Sequence, residues 1–369
     1  MNEPAATPPQ PAGGWSESVT EIAGAIIVPP DSPRKRQRAG VIDAQGNHVP
    51  QGATWRLGNA LTLAPPPPGQ VDEVLTGRWL WAGVLFDHFG HFLVESMSRL
   101  WAAHHDTAAS RGLDGICYIP KRPRRRGALR GFQQQVLDVF GLSLPVRLVW
   151  RPSRVETLVV PGQGFGLGDM IGGTAAMRDA VHRHFAAGIT PDGAERLYLS
   201  RSALAPEEGA ILGETVIEDH LRAQGYRIMH PQMHSLSEQL AQMKAARQII
   251  FADGSAGHLL AYVARPDQQI ACLPRRSFWV DGPVDHIAGF TGRAPLVLDS
   301  IAQEWAAPGR RDFRGVTYAL HDMPALSARL VAAGMLDQGT RWPALPEDMA
   351  LNLIRAQGRE GIFTDQMQP

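Results

Sequence analysis

Between residues 86 and 101 the apolar and ionisable positions separate onto two stripes. At a period of 3.6, Phe89, Phe92, Leu93, Met97, Leu100 and Trp101 fall on one face of a predicted helix, and His88, His91, Glu95 and Arg99 on another. The first stripe is suited to packing and the second is free for chemistry. Around this helix, short apolar runs alternate with amphipathic stretches: strands over Arg78 to Leu85, Gly115 to Ile119 and Thr157 to Val160, and helical patterns over Phe132 to Phe140 and Ala175 to Phe185. Such alternation predicts an α/β domain.

The second half reads more regularly. Arg196 to Arg201 is a strand with an exposed end, Thr215 to Gln224 a helix closed by Gly225, and Tyr226 to Met229 the next strand. Ser235-Leu236-Ser237-Glu238 carries a capping box and opens a helix running to about Ala246. The strand Gln248 to Ala252 leads through Asp253-Gly254-Ser255-Ala256-Gly257-His258 into an apolar helix over Leu259 to Ala264, and Gln269 to Leu273 is a further strand. A strand series joined by helices, with a glycine-rich turn from strand to helix, is half of a doubly wound nucleotide-binding fold.

With 369 residues, two domains plus terminal extensions are expected. The pattern places a disordered Pro/Ala-rich tail over 1–18, an N-terminal α/β domain over 19–188, a C-terminal Rossmann-like domain over 189–335 and a helical extension over 336–369, where Ala350, Leu351, Leu353 and Ile354 are amphipathic. Gly162, Gly164, Gly166 and Gly168 miss the Gly-x-Gly-x-x-Gly order and are expected to form a flexible loop.

Charge narrows the function classes. Lys+Arg 36 against Asp+Glu 36 gives no whole-molecule attraction for nucleic acid or an anionic membrane, so any polyanion must be met locally, as at Lys121-Arg122-Pro123-Arg124-Arg125-Arg126. Cys117 and Cys272 stand in apolar strands far apart, which suits reduced core thiols. The N-terminus lacks the basic and apolar regions of a signal peptide, and no run is apolar for long enough to span a bilayer. A cytoplasmic protein is expected, with a peripheral contact to the inner membrane allowed.

A His91–Glu95 pair one helical turn apart is, taken alone, only a solvated or half-buried polar pair. Its chemical readings are two. A carboxylate can fix the tautomer of an imidazole that then serves as a base, or His88, His91 and Glu95 can offer a two-histidine, one-carboxylate set to a metal. In the second half, the small residues Gly254, Ser255 and Ala256 let backbone amides approach phosphate oxygens, and Arg201 ends a strand on the same predicted edge. The chain contains no Asp-x-Asp sequence.

Phe89-Gly90-His91-Phe92-Leu93-Val94-Glu95 with Arg99, together with Leu199-Ser200-Arg201, Glu214, Gln239 and Ala245 to Ala256, resembles the family 61 glycosyltransferases, the bacterial capsular polysaccharide biosynthesis type. The resemblance spans roughly Trp79 to Pro274. It implies a GT-B architecture, with two Rossmann-like domains facing across a cleft, and inverting, metal-independent transfer from a nucleotide sugar, a UDP-sugar, to a glycan or glycolipid acceptor, with no cofactor. Carried onto this chain, it implies His91 and Glu95 as the catalytic pair, either one the base, and Arg201, Glu214, Gln239, Gly254, Ser255 and Ala256 on the donor side. His88, Arg99, Asp253 and His258 are further cleft candidates. The chain departs from the family at His88, where asparagine is usual, at Gly213-Glu214, where the family has Asn-Glu, and at Ala252-Asp253-Gly254, where it has Pro-His-Gly. The altered turn defines the alternative, a nucleotide-sugar or glycan binding protein that has lost turnover.

Overall fold

The computed structural model describes residues 7–105, 111–123, 127–205, 209–277, 281–306, 317–346, 348–349, 352 and 364–365. The chain divides into two compact units, Met1–Gly188 and Ile189–Pro369.

The first unit is built on a seven-stranded sheet. Val146–Leu148, Gly115–Pro120, Glu73–Leu85 and Ser153–Pro161 run side by side in parallel, and Ile26–Val28, Gly40–Ile42 and Val19–Ala23 add antiparallel strands beyond Ser153–Pro161. Along the chain, the four parallel strands are third, second, first and fourth in that order, so the winding reverses between Glu73–Leu85 and Ser153–Pro161. Ligands of open parallel sheets bind outside the carboxyl ends at such a reversal. Here those ends are Leu85 and Pro161, followed directly by the His91 segment and the glycine run. Trp81, Cys117, Ile119, Leu158 and Val160 are buried beneath them.

The second unit carries a parallel sheet of five strands in the order Arg227–Met229, Arg196–Leu199, Gln248–Ala252, Gln269–Leu273, Leu296–Val297. The winding reverses between Arg196–Leu199 and Gln248–Ala252, whose carboxyl ends lead into Ser200-Arg201 and Asp253-Gly254. Glu214–Ala223 and Leu236–Ala245 are the connecting helices. The capping box forms as expected, with Ser235 Oγ accepting from the Glu238 amide and Glu238 Oε2 accepting from the Ser235 amide at 2.8 Å. Gly225 ends the preceding helix at φ +78°, in the left-handed region that glycine tolerates. A separate four-stranded sheet is formed by Ala210–Ile211, Thr317–His321, Ile301–Ala306 and Thr364–Asp365. Both cysteines are buried and free. Among the described residues no helix is long and apolar enough to cross a membrane.

Three expectations are corrected. The segment expected as a disordered tail is ordered from residue 7: Ser16 is fully buried, and its Oγ accepts from the Gln10 amide at 2.8 Å. Gly162 permits this, since a Cβ there would lie 2.0 Å from the Trp15 carbonyl. For the same reason the glycine run is not a flexible loop: residues 161–166 are buried, and a Cβ on Gly164 would strike the Trp101 ring at 2.9 Å. The third concerns the helix over 86–101. It is a short α-turn, Phe89–His91, then a π-turn, Phe92–Ser96, then a 3₁₀ turn, Leu100–His104. Ala350, Leu351, Leu353, Ile354 and Arg124 to Arg126 lie outside the described residues.

Candidate active site

The first constellation sits where the central strand of the first unit ends. Ser96 Oγ accepts from the Phe86 amide at 3.0 Å and donates to the Val84 carbonyl at 2.9 Å, and the Tyr118 hydroxyl donates to the Ser96 carbonyl at 2.8 Å. One hydroxyl thus pins the helical run to the strand from which it departs. In the π-turn the Met97 amide reaches back five residues to the Phe92 carbonyl, at 3.1 Å; π-turns are rare and cluster at functional sites.

His91 Nδ1 lies 2.8 Å from Glu95 Oε2. Glu95 has a fully buried side chain, and Arg56, from the short strand Trp55–Arg56, grips it twice: Nη2 donates to Oε2 at 2.7 Å and Nε donates to Oε1. The Arg56 guanidinium also lies over the Phe86 ring, 5.0 Å from its centroid. Burial pushes the Glu95 carboxyl up, but the His91 hydrogen bond and the Arg56 charge outweigh it, and the net shift is downward. Glu95 is therefore anionic at neutral pH. A carboxylate at 2.8 Å selects the imidazole tautomer with its proton on Nδ1, which leaves Nε2 as the basic nitrogen. The His91 side chain is 39% exposed, whereas Glu95 is sealed and its oxygens are engaged. Of the two, only the imidazole can meet an acceptor hydroxyl.

The other members of the polar stripe diverge. His88 is exposed, its ring centroid 5.2 Å from that of His91. Arg99, expected beside Glu95, is in the core: it donates to the Ala53 carbonyl at 2.6 Å and to the Pro161 carbonyl, and burial pushes its guanidinium down to about 9. The π-turn accounts for this, because its extra residue per turn rotates everything after Ser96 away from the face that a straight helix would present. Among the described residues no group of three or more His, Cys, Asp or Glu is placed to hold a metal ion.

The second constellation flanks the winding reversal of the second unit. Glu214, the first residue of its helix, is 2% exposed, and its Oε1 accepts from the Tyr198 hydroxyl at 2.8 Å, Ser200 Oγ at 3.0 Å and the Arg201 amide at 2.8 Å. Its Oε2 is buried without a partner, and burial holds the carboxyl above its ordinary range despite those hydrogen bonds. Arg201 and Gly254 come together: a Cβ on Gly254 would lie 2.4 Å from Arg201 Nη1. Gly254 is extended, at φ 168°, and with Ser255 and Ala256 is only half-buried, so its turn opens toward solvent beneath the guanidinium.

Asp253 is 1% exposed and is neutralised from one side. Its Oδ2 accepts from Arg276 Nε at 2.9 Å and lies 3.7 Å from Arg275 Nε. Gln239 is committed elsewhere: its amide donates to the Pro231 and His234 carbonyls at 2.7 and 3.0 Å and so braces that turn. His258 turns toward His286 of the helix Asp281–Thr291, with the Nδ1 atoms 3.3 Å apart. Arg56, Arg275 and Arg276 were not anticipated. The two arginines follow the carboxyl end of Gln269–Leu273, so the strand-end rule applied to that strand would have found them. Arg56 gave no signal, being in a two-residue strand without periodicity.

The first unit thus presents an accessible imidazole oriented by a buried carboxylate, and the second, by itself, an arginine beside a half-buried glycine turn. The glycosyltransferase 61 family model matches residues 89–271. The chain belongs to this family and is a glycosyltransferase. No curated protein matches it. Two solved structures are similar to it at 10% identity. One is the iron-containing dodecameric glycosyltransferase TibC from enterotoxigenic E. coli H10407, with a TM-score of 0.33 over 98% of this chain and 100% of that one. The other is the dodecameric iron-containing heptosyltransferase TibC in complex with ADP-D-beta-D-heptose, with a TM-score of 0.30 over 98% of each.

Proposed function

We propose that the chain is an inverting, metal-independent glycosyltransferase of the GT-B class, acting in the cytoplasm on a surface-polysaccharide acceptor. The observation that carries this is the Arg56–Glu95–His91 chain at the carboxyl end of Glu73–Leu85. His91 Nε2 takes the proton of the acceptor hydroxyl as its oxygen bonds to the anomeric carbon of the donor sugar. The bond from that carbon to the nucleoside diphosphate breaks, and its electron pair leaves with the diphosphate oxygen. Glu95 stabilises the imidazolium, and Arg56 keeps Glu95 ionised. On the donor side, Arg201 and the Gly254–Ala256 turn receive the diphosphate; Glu214, expected to meet a donor hydroxyl, is sealed at 2% exposure and instead holds the Arg201 amide at 2.8 Å. Metal independence rests on the absence of an Asp-x-Asp pair from the sequence.

The test is nucleotide release from a panel of nucleotide sugars, UDP-sugars first, with and without EDTA, comparing the protein with its His91→Ala variant. The expected result is EDTA-resistant release that falls roughly 10²–10⁴-fold in the variant while nucleotide affinity is kept. Release that survives loss of His91 would remove it as the base, release abolished by EDTA would remove metal independence, and nucleotide binding without release from any donor would favour the binding-protein alternative.

A further inference from the structure

The first unit joins two basic runs that lie far apart in sequence, Arg34-Lys35-Arg36 with Arg38, and Lys121-Arg122. Lys121, directly after the strand Gly115–Pro120, uses its ammonium inward: Nζ donates to the Arg34 carbonyl at 3.1 Å, the Lys35 carbonyl at 3.0 Å and Gln37 Oε1 at 3.2 Å. Gln37, 2% exposed, returns two bonds from Nε2, to the Lys121 carbonyl at 3.0 Å and the Ser32 carbonyl at 2.7 Å. A second tie runs toward the candidate base. Arg36 Nη2 donates to Asn59 Oδ1 at 2.9 Å, and Asn59 is the register partner of Arg56, the residue that grips Glu95.

These ties engage Lys121 and Arg36 through neutral carbonyl and amide oxygens and leave the other cations outward. The side chains of Arg34, Lys35 and Arg122 are exposed, without an ion-pair partner among the described residues. The carboxylates near the patch are Asp31 in the same loop, Asp87, already 3.8 Å from Arg130, and Glu95, whose charge reaches Lys121 but is held by Arg56. At the carboxyl edge of the sheet Lys121 and Arg122 line a shallow depression of about 30 Å³ with Asp87, Gln133, Leu148 and Trp150. In a chain whose charges balance at 36 against 36, this is a local concentration that the fold assembles and fixes.

We propose that this patch binds a phosphate-bearing group on the acceptor and holds the acceptor beside His91. Guanidinium forks match phosphate oxygens bidentately, and a neutral glycan would gain nothing from three unclaimed cations. The inference names the acceptor class for the site proposed above and rests on that reading; the binding event itself is tested independently. The same phosphate chemistry is presented by a lipid headgroup at a membrane surface or by a soluble phosphorylated acceptor.

The experiment compares the full chain, an Arg34→Gln/Lys35→Gln/Arg122→Gln variant and an Arg227→Gln control. One arm is co-sedimentation with phosphatidylcholine vesicles, with and without phosphatidylglycerol. The other is calorimetric titration with inorganic pyrophosphate in saturating UDP, which occupies the donor side. Binding to anionic but not neutral vesicles marks the membrane source, and pyrophosphate binding alone marks the soluble one. At about a fivefold change in affinity per cation near an anionic surface, the triple variant should bind roughly 100-fold more weakly, and 0.5 M salt should have a similar effect. No binding in either arm, or a triple variant within twofold of the parent, overturns the proposal. Acceptor-independent nucleotide release should be equal in parent and triple variant; its absence from the parent would count against the base assignment and leave the phosphate arms to be judged on their own.

Discussion

Replacing Glu95 by Gln changes one charge and almost no volume, so it isolates what the carboxylate does for His91. At an effective dielectric constant of about 20, unit charges 2.8 Å apart attract by about 6 kcal/mol. The His91 side chain is 39% exposed, and screening by solvent reduces this to roughly 2–3 kcal/mol. At 1.36 kcal/mol per tenfold, the imidazolium formed in the transition state loses about 30- to 150-fold in kcat. The loss is larger if Arg56, whose Nη2 is 3.3 Å from His91 Nδ1, stays in place without its counter-ion. The assay is nucleotide release over a pH series, with kcat and KM separated and thermal unfolding followed in parallel. A half-buried guanidinium that has lost its counter-ion should cost about 1–3 kcal/mol of stability, so the Arg56→Gln/Glu95→Gln double variant is the companion: it should regain stability and stay slow. A Glu95→Gln protein that folds and retains kcat within about threefold would refute the reasoning.

The remaining predictions concern the second unit. Gly254→Ala should place a methyl 2.4 Å from Arg201 Nη1 and displace that guanidinium, weakening nucleoside diphosphate binding about tenfold or more by titration; because φ is 168°, the melting temperature should hold. The Glu214 carboxyl is held up by burial, so its contribution to stability is complete below its ordinary value and is lost as pH rises through the raised one; Glu214→Gln should flatten that alkaline decline in urea unfolding. His321 is held neutral, its pKa lowered by burial from 6.5 to about 4. Stability tied to it is present above pH 6.5 and lost as pH falls toward 4, by about 3 kcal/mol, and His321→Gln should remove that acid limb. Asp253→Asn should leave nucleoside diphosphate affinity equal or stronger while destabilising the unit by about 3–5 kcal/mol; tenfold weaker binding would show that Asp253 acts on the ligand.

The strands of both units were legible because each is a run of apolar residues set off by turn residues, as in Gln248–Ala252 and Gln269–Leu273. Pattern alone also placed Arg201 and Gly254 on one edge, since the residue after a parallel strand is delivered to the same side each time. The helix over 86–101 was half legible. Its apolar positions pack, but a fixed 3.6 period has no place for a π-turn, so it put Arg99 beside Glu95 when the backbone carries Arg99 to the Pro161 and Ala53 carbonyls. Arg56 was illegible for a different reason. Thirty-nine residues separate it from Glu95, and its strand is fixed by tertiary contact, with Gln163 Oε1 accepting from the Trp55 amide at 2.8 Å, so no local period exists to be read.

Asp253 decides how the altered turn should be weighed. A bare carboxylate 4 Å from a diphosphate charge would repel it by about 4 kcal/mol at an effective dielectric constant of 20, enough to strip a micromolar ligand from the turn. The carboxylate is not bare. Arg276 at 2.9 Å and Arg275 at 3.7 Å share its Oδ2, so two guanidinium groups face the one carboxylate, and a third, Arg201, lies against the next residue, Gly254. The sign of the local charge is positive with Asp253 ionised, and an anion approaching Gly254 meets attraction. An aspartate in this turn is therefore compatible with an anionic leaving group, provided Arg275 and Arg276 stay where they are, and the burial of Asp253 at 1% exposure is what holds them there. On this reasoning the departure from the family pattern is a change in how the turn is braced, and the loss-of-turnover alternative gains nothing from it.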